Sequence, residues 1–194
     1  MNTIISIYTE STPNPETMKF VANKMILAHK SADFQNEESA RNSPLATELF
    51  GFPFVKGVFF ANNFVTITKH PQYDWHDIVP SMKEFIKDYL VANKPVITGE
   101  LEKPAAEAES EPTTAEEAEI VAKLKQLLDT YVKPAVEMDG GNIQFRSYKD
   151  GIVKVTLQGA CSGCPSSTVT LKAGIEGMLK RMVPEVKEVV AEAE

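Results

Sequence analysis

Apolar and polar positions alternate in two separated parts of the chain. Near the N-terminus, residues 3–9 alternate as a strand does, and short apolar runs follow at 18–21 and 25–28. The segment SPLATELF carries Ser43 as an N-cap candidate and Pro44 at the first helical position. Leu45 and Leu49 lie one turn apart on it. Apolar runs at 58–60 and 64–68 flank Asn62-Asn63, a pair that tolerates positive φ and so predicts a hairpin turn. Asp74 or Asp77 caps a helix whose Ile78, Met82, Phe85, Ile86 and Tyr89 share a face.

The second part opens with Thr114 and Glu117 in capping-box spacing. Ile120, Leu124, Leu127, Leu128 and Tyr131 then make a helical stripe, which Pro134 ends or kinks. Ile143, Phe145 and Ser147, then Val153, Val155 and Leu157, predict two antiparallel strands joined at Lys149-Asp150-Gly151. Leu171, Ile175, Met178, Leu179 and Met182 predict a further helix, and 186–190 a final short strand. The pattern is α+β: two small α/β domains, at 1–94 and 113–194, the second ordered α-β-β-α-β.

Between them, residues 95–112 hold almost no core-forming side chains and are rich in Pro, Ala and Glu. Pro95, Pro104 and Pro112 oppose a helix, so the stretch reads as a solvated acidic linker. Charge sharpens this. The formal net charge is −7, and the excess sits at 100–119, where Lys103 faces eight glutamates. Neither flanking part is basic enough to make nucleic acid the main partner. No apolar run is long enough to span a membrane. The first twenty residues lack the pattern of a secretory signal and are not an Arg-rich transit peptide, so a bacterial, cytoplasmic setting is expected.

Chemistry concentrates in GACSGCPSSTVTLKAG. Cys161 and Cys164 are the two cysteines of the chain. They lie on a strand-to-helix turn, the second just ahead of Pro165. A helix N-terminus favours negative charge, so both thiols are expected to ionise more easily than free cysteine. Four readings of the pair stand at this point. One is a thioredoxin-like dithiol, although the usual preceding aromatic is missing and Pro165 lies outside the pair. Another is half of a zinc or iron–sulfur site, since such sites take about four protein ligands. His29, His70 and His76 all fall in the first part, so the half site would be completed by a second copy on a two-fold axis. The third is a zinc-bridged structural dimer, and the fourth an inert buried pair. Gly159 and Gly163 permit close backbone approach to sulfide, and Ser162, Ser166 and Ser167 supply hydrogen-bonding groups.

EMDGGN (137–142), GIVKVTLQGACSGCPSSTVTLKAGIE (151–176) and VPEVKEV (183–189) closely resemble the C-terminal domain of the NifU-like (Nfu) iron–sulfur proteins. TPNPETMKF (12–20), NSPLATELF (42–50), VKGVFFANNFVTITK (55–69) and Asp74-Trp75 resemble the N-terminal domain of the same family. The resemblance implies a scaffold or carrier, not an enzyme. It implies a cluster, [4Fe–4S] or else [2Fe–2S], held between two chains with Cys161 and Cys164 as metal ligands. It further implies a homodimer in the cluster-bound form, apo iron–sulfur proteins as acceptors and upstream assembly machinery as donor. The family's DGG falls on Asp139, Gly140 and Gly141, expected as a loop of glycine conformations beside the cysteine turn. The extra cysteine sets of longer NifU proteins are absent, which favours carrying over building. The rival function is a CxxC dithiol–disulfide oxidoreductase.

Overall fold

The computed structural model describes residues 4–99, 114–162 and 165–193, without the side chains of His29, 165–168 and Ala193. The chain forms two compact units, Met1–Glu102 and Lys103–Glu194.

In the first unit, β1 (Ile7–Ser11), β2 (Thr17–Ala22), β3 (Leu27–Phe34), β4 (Val55–Asn62) and β5 (Phe64–Lys69) form one antiparallel sheet ordered β1-β2-β5-β4-β3. Helix α1 (Pro44–Phe50) starts at Ser43, whose Oγ accepts the Ala46 N–H at 3.1 Å. Helix α2 (Trp75–Val91) starts at Asp74, which accepts the His76 N–H at 2.8 Å. These side chains satisfy backbone donors that the first turn leaves without a partner. The β4–β5 turn puts Asn62 at φ 47°, the left-handed region that Asn tolerates. Leu45, Leu49, Ile78, Met82 and Ile86 pack on Phe20, Val58, Phe60, Val65 and Ile67. The residues between these on the strands, Val21, Phe59, Ala61 and Phe64, form a separate apolar cluster on the other face of the sheet.

Two boundaries differ from expectation. Strand β1 begins at Ile7, with residues 4–6 outside it, and the expected first residue, Thr3, lies outside the described residues. The linker expected from Pro95 begins too early. Val96 and Ile97 pack on the first core, Ser43 donates its Oγ–H to Val96 O at 2.7 Å, and the Thr98 N–H reaches Asn42 O at 3.0 Å. Two apolar residues in a Pro-bounded stretch are enough to anchor it where the caps of α1 offer partners.

In the second unit, α3 (Ala115–Leu127) begins at Thr114, whose Oγ1 accepts the Glu117 N–H at 3.2 Å. The helix runs on through a π-helical turn, Leu128–Val132, into α4 (Lys133–Met138). Proline supplies no N–H and its ring crowds the carbonyl four residues back, and the wider turn accommodates both. Pro134 therefore does not end the helix. The extra residue in the turn also shifts the phase. Val132 takes the inward place, while Tyr131, expected on the buried stripe, is 58% exposed.

Strands β6 (Gly141–Lys149) and β7 (Ile152–Gly159) pair antiparallel across Asp150-Gly151, at φ 53° and 88°. Two successive positive φ values match the twist of a two-residue hairpin. Helix α5 (Pro165–Met182) then crosses back, and β8 (Glu188–Ala193) joins β7 in parallel, giving the order β6-β7-β8. The pairing is pinned at its start by Gly151 O, which accepts the Lys187 N–H at 2.7 Å. Glu176 on α5 accepts the Val189 N–H at 3.0 Å. Its hydrogen bond with Lys180 holds its carboxyl below the usual carboxylate range, and the Val189 bond adds to this. Leu124, Leu128, Val136, Ile143, Val155, Leu157, Ile175 and Leu179 build this core.

Candidate functional site

The last residue of β7, Gly159, turns the chain at φ 67°. Its carbonyl accepts both the Ser162 N–H at 3.1 Å and the Ser162 Oγ–H at 2.8 Å, closing a tight turn around Cys161. The glycine that takes positive φ among the described residues of this turn is Gly159. Gly163, Cys164 and the side chains of Ser166 and Ser167 lie outside the described residues.

A second loop locks the turn. Asp139 follows α4, and Gly140, at φ 80°, presents its carbonyl to the Ala160 N–H at 3.3 Å. Gly141 pairs with Gly159 as β6 begins. A Cβ on Gly141 would stand 2.6 Å from Gln158 O and 2.9 Å from Cys161 Sγ. The two glycines of the DGG motif thus act differently: Gly140 supplies a conformation, Gly141 an absent side chain. Both lie beside the cysteine turn, as expected. Sequence reasoning missed the division of labour, because only the register of β6 on β7 brings Gly141 to the sulfur.

Cys161 is 6% exposed and belongs to the apolar core. Burial, with the Asp139 carboxylate adding to it, pushes its thiol up to about 12. This corrects the expectation of easy ionisation for Cys161, while the same expectation for Cys164 lies outside the described residues. An apolar pocket disfavours the thiolate more than a nearby helix start favours it. A bound cation inverts that balance, because coordination removes the proton outright. The site therefore suits a thiol that is quiet without metal and a ligand with it. The described histidines offer no alternative: His76 is exposed beside Asp77 in the first unit, and His70 is half-buried there. Among the described residues no group of three or more His, Cys, Asp or Glu is placed to hold a metal.

The chain matches two family descriptions. "Scaffold protein Nfu/NifU N terminal" covers residues 7–93, and "NifU-like domain" covers 124–190. The chain belongs to the Nfu/NifU-like scaffold family. It is 42% identical to the human "NFU1 iron-sulfur cluster scaffold homolog, mitochondrial", over 94% of this chain and 70% of that one. It is 43% identical to "NifU-like protein 4, mitochondrial" of Arabidopsis thaliana, over 96% of this chain and 65% of that one. The chain thus spans about two thirds of the length of these relatives. A solution NMR structure of a NifU-like protein from Saccharomyces cerevisiae aligns at 30% identity and a TM-score of 0.46, over 52% of this chain and 92% of that one. The bacterial, cytoplasmic placement is overturned by these relatives, whose names are mitochondrial. The composition of a leader-length stretch is no measure of compartment.

Proposed function

We propose that this chain is an iron–sulfur cluster scaffold and carrier. It binds a [4Fe–4S] cluster between two copies through Cys161 and Cys164 of each, and hands it to apo-proteins. The observation that carries the reading is the cradle at Cys161: a glycine where any Cβ would strike the sulfur, and a turn closed twice on Gly159 O. Two thiols per chain are half of what a cluster with four thiolates needs, so the other half comes from a second copy. Two ligands per chain also make release simple, since separation of the copies or exchange with an acceptor's thiolates frees the cluster. The rival oxidoreductase needs an exposed, easily ionised nucleophile, and the burial of Cys161 disfavours it.

Residues 113–194 form the cluster-binding domain in this reading. Residues 1–94, with their packed extension to Thr98, form a cysteine-free recognition module, and the acidic stretch joins the two. Recognition of an acceptor by the first module would raise its local concentration near the cluster.

Anaerobic reconstitution with iron and sulfide tests the reading. The expected product is brown, dimeric and carries about two irons per chain. Cys161→Ser and Cys164→Ser should each reduce bound iron to background. Cys161→Ser should also cost the second unit about 1–3 kcal/mol, because a hydroxyl replaces a buried thiol. A colourless protein that reduces insulin disulfides would replace the carrier with the oxidoreductase. A holo monomer with four irons would remove the shared site.

A further inference from the structure

The β6–β7 hairpin that leads to the cysteine turn changes register along its length. Next to the Asp150-Gly151 turn, Lys149 pairs with Ile152, Tyr148 with Val153 and Ser147 with Lys154. Next to the site, Phe145 pairs with Val155, and the pairs run on to Gly141 opposite Gly159. Arg146 is the extra residue between them, a bulge in β6. Without it, the register set by the turn would bring Asn142, not Gly141, opposite Gly159. It would also send Gln144 and Arg146 to the core side that Tyr148 faces, and Ile143 and Phe145 away from it. The turn therefore does not by itself set the register at Cys161. Polar side chains beyond the bulge do so, on the face opposite Ile143 and Leu157. Arg146 Nε donates to Thr156 Oγ1 at 2.6 Å. Gln158 Oε1 accepts from Asn142 Nδ2 at 3.2 Å and from Gln144 Nε2 at 3.1 Å. Asn142, Thr156 and Gln158 are buried.

We propose that Asn142, Gln144, Arg146, Thr156 and Gln158 are positioning residues for the cysteine site: their cross-strand bonds hold the register in which Gly141 lies against Cys161. Backbone pairing and the apolar face do not choose that register alone. A shift of two residues keeps every side chain on its own face and lets the ladder bonds form again. It would bring Asp139 or Ile143 opposite Gly159 in place of Gly141. Any side chain there meets Gln158 O and Cys161 Sγ, which lie 2.6 and 2.9 Å from where a Cβ on Gly141 would stand. The sulfur would be pushed from its place. The same shift parts Gln158 from Asn142 and Thr156 from Arg146, and a buried polar group that loses its partner is costly. That cost falls on the shifted register only, so the bonds act on where Cys161 sits as well as on stability. Their bearing on the cluster rests on the carrier reading; their hold on Cys161 does not.

The experiment uses the full chain. In the apo protein, Cys161 is alkylated with iodoacetamide below the unfolding transition, and tandem mass spectrometry separates it from Cys164. Thr156→Val/Gln158→Met nearly keeps the size of both side chains and removes both acceptors. Its Cys161 should react about tenfold faster than in wild type, the factor that the loss of a hydrogen bond or two corresponds to. Thr156→Ser/Gln158→Glu keeps both acceptors and should stay near the wild-type rate. Leu124→Ala is the control, because it opens a cavity in the same core and leaves the polar bonds in place. Thermal unfolding ranks the chains by stability. A double variant that reacts no faster than an equally or more destabilised Leu124→Ala chain overturns the hold on Cys161, because the bonds then only stabilise. Should the double variant fail to fold by far-UV circular dichroism, Thr156→Val alone is read against the same control in the same way. Each chain is then reconstituted anaerobically with iron and sulfide. Bound iron should fall in the double variant and stay at the wild-type level in Thr156→Ser/Gln158→Glu. Faster labelling with unchanged iron keeps the hold on the thiol and overturns its bearing on the cluster. A wild-type chain that takes up no iron overturns the carrier reading, and the labelling rates still decide the hold on Cys161.

Discussion

Nine of the ten phenylalanines lie in the first unit, and both cysteines lie in the second. The first unit fills its sheet faces with rings. Phe34 and Phe60 meet edge-on at 5.6 Å between centroids, Phe52 and Phe85 at 5.2 Å, and Phe59 and Phe64 lie 6.0 Å apart on the opposite face. The second unit has only Phe145, and at its most constrained point uses no side chain at all: Gly141 lies against Cys161. Ring packing buries much area and tolerates small shifts. A glycine cradle buries little and tolerates none. Bulk serves stability in one unit, and absence of bulk serves the placement of a sulfur in the other.

Three substitutions sharpen this contrast. The largest effect is expected from Phe60→Ala, which opens a cavity in a fully buried position of the first unit. It should destabilise that unit by about 3–5 kcal/mol while iron bound per chain after reconstitution stays unchanged. Calorimetry and an iron assay on one sample read both, and loss of iron would tie the units together energetically. Next is Gly141→Ala. Its Cβ meets a backbone carbonyl as well as the sulfur, so relief requires movement of β7. A cost of about 1–3 kcal/mol is expected in the second unit alone, with bound iron falling as Cys161 is displaced. Full iron binding would show that the cradle is not needed. The smallest effect is a gain. Gly177 is exposed in α5 and a Cβ there meets nothing within 4 Å, so Gly177→Ala should stabilise the second unit by about 0.5–1 kcal/mol. A loss instead would mean that α5 packs on something at that position.

Features set by neighbouring residues are legible in the sequence itself. Ser43, Asp74 and Thr114 act as caps because a cap needs only its own first turn. Asp150-Gly151 makes its turn because two positive φ values are a local demand. What requires the fold is non-local. Strand β3 extends through the weakly patterned AHKSADF because β4 pairs with it. Tyr131 turns outward because a π turn intervenes. At the site, the positions of Cys161 and of the DGG loop follow from spacing, but the protonation of the thiol does not. A CxxC turn suggests an acidic thiol. Its burial among residues from α4, β6 and α5 sets the opposite sign.

The parallel strand β8 has a consequence for synthesis. Every strand of the first unit's sheet lies within its own stretch of chain, so that sheet can form while the rest is still being made. In the second unit β7 sits between β6 and β8, and β8 begins nearly thirty residues after β7 ends. The thiols are therefore translated well before the strand that completes their sheet. On the ribosome, the protein passes through an interval in which the sheet of its first unit is complete and Cys161 is not yet seated in its core. On the proposed carrier reading, a premature cluster would meet an open sheet, and loading in the native geometry would wait until Glu188–Ala193 has cleared the exit.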